Sequence, residues 1–234
     1  MKRRAAHFAA VIVAASLFFT GLRFAAAMPE LSPKADAALK RLHQTSGGTL
    51  SVRWNEASGT PYRMRGRLSG PSRHTPPWIA YSFMNEVRAL YGIANPDRDL
   101  EITEIRQTST GSVLVEMQRY LFGIPVLGNA LTIEIDGEGV VRNVEGTIHP
   151  GLEKKKFYKP IKPAIKEKDA VRIALSCLPA GKPIVGDPSV QLYYLPERNG
   201  TPLVYMVSAT VETEEGPGIL CRILVHSVMG HIIR

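Results

Sequence analysis

Histidine and cysteine are scarce: the 234 residues hold six histidines and two cysteines, and that thinness already excludes several chemistries. The histidines are His7, His43, His74, His149, His226 and His231. None is followed by glutamate and none pairs at i and i+4, so the H-E-x-x-H helix that lets a metalloprotease hold zinc and use a glutamate base is missing. Neither cysteine has a histidine at ligand spacing, which excludes a structural zinc knot. G-x-S-x-G and a phosphate-cradling glycine loop are absent too. The residues present give no catalytic constellation, no metal site and no cofactor site. For Cys177 and Cys221 two readings stand: a single disulfide, as an exported chain allows, or two buried thiols.

Positive charge is less abundant than it first looks. The formal charge is +8, but Lys2, Arg3, Arg4 and Arg23 lie in the first 27 residues, which carry no acid; without them it falls to +4. That excess is too mild and scattered for nucleic acid, though it suits an anionic cell envelope. The same stretch combines a cationic start, an apolar run over residues 5–19 and small residues at Ala25-Ala26-Ala27. This is the layout of a secretory signal cleaved after Ala27; a membrane anchor would need about 20 apolar residues without the interruption at His7. The expected product is secreted, with a tethered, uncleaved form as the alternative.

Past residue 27 the chain is expected to divide into an N-terminal segment at 28–48, a first domain at 49–150, a linker at 151–165 and a second domain at 166–234. Gly151-Leu152-Glu153-Lys154-Lys155-Lys156 and the prolines at 160 and 163 supply charge and little apolar pattern. In the first domain, residues 49–54 and 63–68 alternate around Gly59-Thr60-Pro61, as in a hairpin. Thr75-Pro76-Pro77 starts a helix, Ile79, Phe83, Val87, Leu90 and Tyr91 stripe it, and Gly92 ends it. Strands follow at 102–106, 113–117, 131–135 and 140–148, with Asp136-Gly137-Glu138-Gly139 as a hairpin turn. After the linker, Ala170, Ile173, Ala174, Cys177 and Leu178 form a helix face that Pro179 stops. Strands at 190–195, 203–211, 219–227 and 231–233 complete the chain. The fold class is α+β, two small domains, each an antiparallel sheet with a helix packed across it.

The run Gly123-Ile124-Pro125-Val126-Leu127-Gly128, an alternating strand, Asp136-Gly137 and Val140 onward to Gly146 resembles the fungalysin/thermolysin propeptide domain. That family reads G-[IV]-P-V-x-G, a D-x-G turn and V-x-x-V-x-G. It commonly has glutamine four residues before the first motif glycine; here Arg119 stands there and Gln118 one place earlier, which leaves a distant member or a shifted strand register open. The second domain is similar to PepSY, the usual companion of that propeptide domain, in the Asp169-Ala170 helix, in Leu203-Val204-Tyr205-Met206-Val207 and in the closing segment. There the family tends to read V-D-A-x-T-G-x-V, with His226 here at the acidic position and Gly230 at the glycine.

These resemblances imply framework residues rather than a reacting centre: Gly123, Pro125, Val126, Gly128, Asp136, Gly137, Gly146, Tyr205 and Gly230. Gly123 and Gly128 are expected to bracket a rigid proline turn at positive φ. The family implies a non-catalytic protein that binds a secreted thermolysin-like metalloprotease in trans and inhibits it or assists its folding. An edge strand or the end of the chain, Ile233 and Arg234, is the expected contact. The alternatives are an envelope scaffold regulating a wall hydrolase, or a remnant of a protease precursor.

Overall fold

The computed structural model describes residues 30–152, 162–178, 183–213 and 216–233; the expected signal segment, most of the expected linker, Pro179 and Arg234 lie outside them. No helix of the described residues is long and apolar enough to cross a membrane. The fold is α+β, as its hydrophobic periodicities imply.

The N-terminal half opens with α1 (Pro33–Ser46), a helix within the N-terminal segment at 28–48, for which no element was expected. Ser32 caps it, its Oγ accepting from Ala35 N–H at 3.3 Å, and Pro33 fills the first turn, where no N–H is needed. Its buried face is small: Ala35, Ala38, Leu39 and Leu42. β1 (Ser51–Asn55) and β2 (Thr60–Arg65) form the expected hairpin. α2 (Pro76–Tyr91) starts after Thr75 and ends at Gly92, whose φ of 61° is the left-handed cap that glycine supplies without strain. The whole expected stripe, Ile79 to Tyr91, is buried, together with Ala80 and Met84.

A short helix, α3 (Pro96–Asp99), leads into β3 (Leu100–Gln107), β4 (Val113–Leu121), β5 (Ile124–Ile135) and β6 (Val141–Thr147). The sheet order is β3-β4-β5-β6-β2-β1, antiparallel throughout. Val115, Met117, Leu131, Ile133, Ile135, Val141 and Val144 point from it onto α1 and α2 in one core. Thr132 and Glu134 take the other face, as period-two alternation requires.

In the C-terminal half, α4 (Glu167–Leu175) lies on β7 (Ile184–Tyr194), β8 (Leu203–Thr213) and β9 (Gly216–His226), with β10 (Ile232–Ile233) closing the order β7-β8-β9-β10. Ala170 and Ala174 bring the helix close to Tyr205, Val207 and Val225. Two expectations are corrected here. The helix stops at Leu175, so Cys177 falls in the following turn and is exposed rather than on a packed face. Cys221 sits on β9 and is part-buried; both thiols are free, and there is no disulfide. β7 also begins six residues before the expected start, at Ile184; a register irregularity between Val185 and Ser189 hides its alternation.

The two sheets meet. Val126 of β5 pairs in parallel with Tyr194 of β7, joining the ten strands into one branched sheet in which β4, β6 and β7 all pair with β5. Leu121, Val126, Tyr194 and Leu203 form a small core at this seam, and Leu152, placed by its sequence in the linker, is buried in it. At the linker's other end, Ala164 and Ile165 donate their N–H groups to the Ser227 carbonyl at 2.9 and 3.0 Å.

Candidate functional site

The motif residues gather at the seam. Leu121 pairs with Ile124, so Phe122 and Gly123 form a two-residue hairpin turn with both φ positive, 53° and 77°. That geometry favours the right-handed strand twist and explains Gly123. Phe122 is an unusual residue for it; its ring is half exposed and tilts toward Tyr194, 6.4 Å away. A groove of about 390 Å³ beside it is lined by Arg98, Asp99, Glu101 and Tyr120. Pro125 is not in a turn, as expected from Gly123 and Gly128, but already in β5 opposite Tyr120. No ladder bond is lost, because proline's missing N–H is tolerated where a strand leaves its partner.

That departure is the centre of the site. Gln118 pairs with Ala130 and Tyr120 with Pro125, so residues 126–129 bulge out opposite Arg119 alone. The bulge carries Val126, fully buried, across to β7. Gly128, at φ 70°, makes the bend. The shift in register follows from who fills the bulge. Gln118 Nε2 donates to the carbonyls of Arg119, Val126 and Asn129 at 3.0, 2.8 and 2.9 Å. The offset of one place between Gln118 and the family's usual glutamine thus coincides with an irregular strand.

Behind it lies a buried polar cluster that sequence reasoning missed. Asn129 is fully buried; its Oδ1 accepts from His149 N–H at 2.7 Å, and its Nδ2 donates to the Leu127 carbonyl at 3.1 Å and meets His149 Nδ1 at 2.9 Å. Arg119, also fully buried, donates from Nη1 to the His149 carbonyl. Burial of a guanidinium is expensive unless it is hydrogen-bonded, so this cluster specifies one arrangement of β4, β5 and the strand end after β6. A lone histidine and an asparagine in a strand leave no signal in sequence that they will meet.

The other motif positions are framework. Asp136 Oδ1 accepts from Glu138 and Val140 N–H, both at 2.9 Å, and Oδ2 accepts from Arg142 Nε at 2.6 Å. Burial raises its carboxyl, but the hydrogen bonds from Val140, Arg142 and Glu138 outweigh that and hold it below the usual carboxylate range. In this turn the glycine that needs positive φ is Gly139, at 75°, and not Gly137. Gly146 faces the closest approach: at φ 140° a Cβ there would stand 2.1 Å from the Ala130 carbonyl oxygen.

At the far end, Tyr205 is buried and donates its hydroxyl to the Ile165 carbonyl at 3.1 Å. Gly230 lies at φ 67° in the turn to β10, and Ile233 pairs with Leu224. His226 and His231, five apart in sequence, do come together, with ring centroids 5.1 Å apart. Among the described residues no three His, Cys, Asp or Glu side chains group so as to hold a metal. Seam and C-terminal corner are separate places, and neither offers a nucleophile with its base.

Residues 98–148, which contain β3 to β6 and the whole bulge, match the family model of the Fungalysin/Thermolysin Propeptide Motif. This motif is a propeptide element and not a catalytic domain. Bacillolysin of Bacillus cereus is 24% identical over 167 residues, which is 70% of this chain and 29% of that protein. The chain therefore spans under a third of the length of this curated relative. Among solved structures, the YpeB C-terminal domain of Bacillus megaterium superposes with a TM-score of 0.38 at 11% identity, covering 88% of this chain and 97% of that one. The family model thus falls on β3–β6 and the bulge, within residues 98–148.

Proposed function

We propose that this chain is a propeptide-like, non-catalytic protein that binds a thermolysin-like metalloprotease in trans, inhibiting it or assisting its folding. The observation that carries the reading is the propeptide match over residues 98–148. It is supported by the structural work of the motif positions, which serve turns (Gly123, Asp136, Gly230), the bulge (Val126, Gly128), strand pairing (Pro125, Gly146) and the hydrogen bond of buried Tyr205. In the same reading the second half is a PepSY-like domain, residues 1–27 direct export, and the mild positive charge helps hold the product near an anionic envelope. The contact is made by an exposed strand edge or by the end of the chain at Ile233 and Arg234.

The test is titration of the purified protein against a thermolysin-like protease, reading hydrolysis of a peptide substrate and the refolding yield of denatured enzyme. Inhibition or improved yield at micromolar protein is expected; the absence of both effects would sink the proposal. Capture from envelope extracts separates it from its rival: recovery of a wall hydrolase in place of a zinc protease would favour the scaffold reading. N-terminal sequencing of protein from culture medium checks export, with Met28 as the expected first residue.

A further inference from the structure

The turn between β9 and β10 is held by a histidine side chain. His226 ends β9. Its N–H donates to the His231 carbonyl at 2.8 Å, and its carbonyl accepts from Gly230 N–H at 2.9 Å. Its imidazole Nδ1 accepts from the N–H groups of both Val228 and Met229 at 3.2 Å. An imidazole nitrogen accepts only while it carries no proton, so the folded turn requires neutral His226 with its proton on Nε2. That tautomer also argues against a metal at the pair, because the nitrogen left free of the turn is the protonated one.

Accepting N–H groups two and three residues ahead is the work of an aspartate or asparagine side chain at a turn, and the PepSY-like segment tends to have an acid at this place. A carboxylate would keep its acceptors down to about pH 4, whereas an imidazole loses Nδ1 as acceptor near about pH 6.5. The neighbourhood sharpens the difference. The pocket here, about 380 Å³, is lined by Arg198 from the β7–β8 turn, by His226 and His231, and by Met229 and Ile232; among the described residues no carboxylate lines it. The ionisable group against the His226 ring is His231, with ring centroids 5.1 Å apart, and Arg198 stands on the same pocket wall.

We propose that this turn is a proton-operated clasp on the C-terminal strand. A proton on Nδ1 removes two turn hydrogen bonds and places like charges together, so β10 leaves β9. Ile232 then no longer packs against the core of Ala170, Ala174, Tyr205, Val207 and Val225 under α4. Burial first, and the charge of His231 second, push His226 below its ordinary value. The unfolded chain therefore binds the proton more readily. The clasp is fully closed above about pH 6.5, and its contribution is lost as pH falls through the lower folded value. The device does not depend on which partner the chain binds.

Amide hydrogen exchange followed by NMR on the purified protein at pH 7.5 and 5.5, corrected for intrinsic rates, tests it. Protection at Val228, Met229 and Gly230, whose N–H groups the turn holds, is expected to fall by up to about tenfold at pH 5.5, the ceiling for a group with an ordinary value of about 6.5, while Val207 in β8 holds. His226→Asp is expected to keep the turn closed at pH 5.5. Equal protection at both pH values in the wild type, or a variant that opens as the wild type does, overturns the proposal. The ¹⁵N shifts of His226 decide independently of any variant: a proton on Nδ1 at pH 7.5 also overturns it.

Discussion

Replacing Gly146 with alanine separates two reasons for keeping a glycine in this motif. At Gly146 the backbone sits at φ 140°, and a new Cβ would lie 2.1 Å from Ala130 O and 2.9 Å from Leu131 Cα. Both atoms belong to β5, which pairs with β6 at this point. They cannot retreat without breaking the ladder. The φ alone costs about 1–3 kcal/mol, and forcing a methyl into packed backbone costs about 1–3 more. Together, about 2–6 kcal/mol is a large share of a typical stability of about 5–15. Gly128 is the control. It too has positive φ, 70°, but nothing lies within 4 Å of its Cβ position, so Gly128→Ala carries only the left-handed penalty, about 1–2 kcal/mol. Urea denaturation followed by circular dichroism reads both. The expected result is a much lower midpoint for Gly146→Ala, a small shift for Gly128→Ala and unchanged slopes. Equal shifts would refute the close-approach argument.

Asn129→Ala strips the partners from the part-buried His149 N–H and Leu127 carbonyl; at about 1–3 kcal/mol for a group left fully unsatisfied, less where water reaches it, a loss of about 2 kcal/mol is expected in the same urea assay. Asp136, held below its ordinary value, stabilises the fold above about pH 4 and less as pH falls below it. The stability gap between wild type and Asp136→Asn, measured by acid titration, should therefore shrink under pH 4. Iodoacetamide on the native protein should alkylate Cys177 quickly and Cys221 slowly, with no disulfide found by mass spectrometry after unfolding without reductant.

The parts of this fold legible in sequence are those with local causes. The α2 boundaries follow from Thr75-Pro76-Pro77 and Gly92, and the β5–β6 hairpin from alternation broken by an Asp-Gly-Glu-Gly turn. α1 was harder, since half of its apolar buried face is alanine, which adds little to a hydrophobic pattern; the Ser32-Pro33 start was there to be seen. Leu152 and Tyr194 belong to a core assembled from distant segments, which no periodicity reports. Cys177 was misplaced because an apolar pattern runs past the end of α4 without packing. Of the candidate site, the motif glycines were visible and their purposes partly so. The Gln118–Asn129–His149 cluster was not, because polar residues in a strand look solvent-facing until a bulge turns them inward.

The bulge in β5 also sets an order of assembly. Val126 is offered to Tyr194 only once residues 126–129 have been pushed out of register by closure of the β4–β5 hairpin around Gln118. The hairpin contacts are local and quick to form, whereas Val126 and Tyr194 are far apart in sequence and their meeting carries a loop-closure cost. Folding of the seam is then expected to be sequential: β3–β6 acquire structure first and act as the template on which β7 lands. Pulse-labelled exchange during refolding would show amides of β4 and β6 protected before those of β7, and simultaneous protection would show that the two halves fold without this hierarchy.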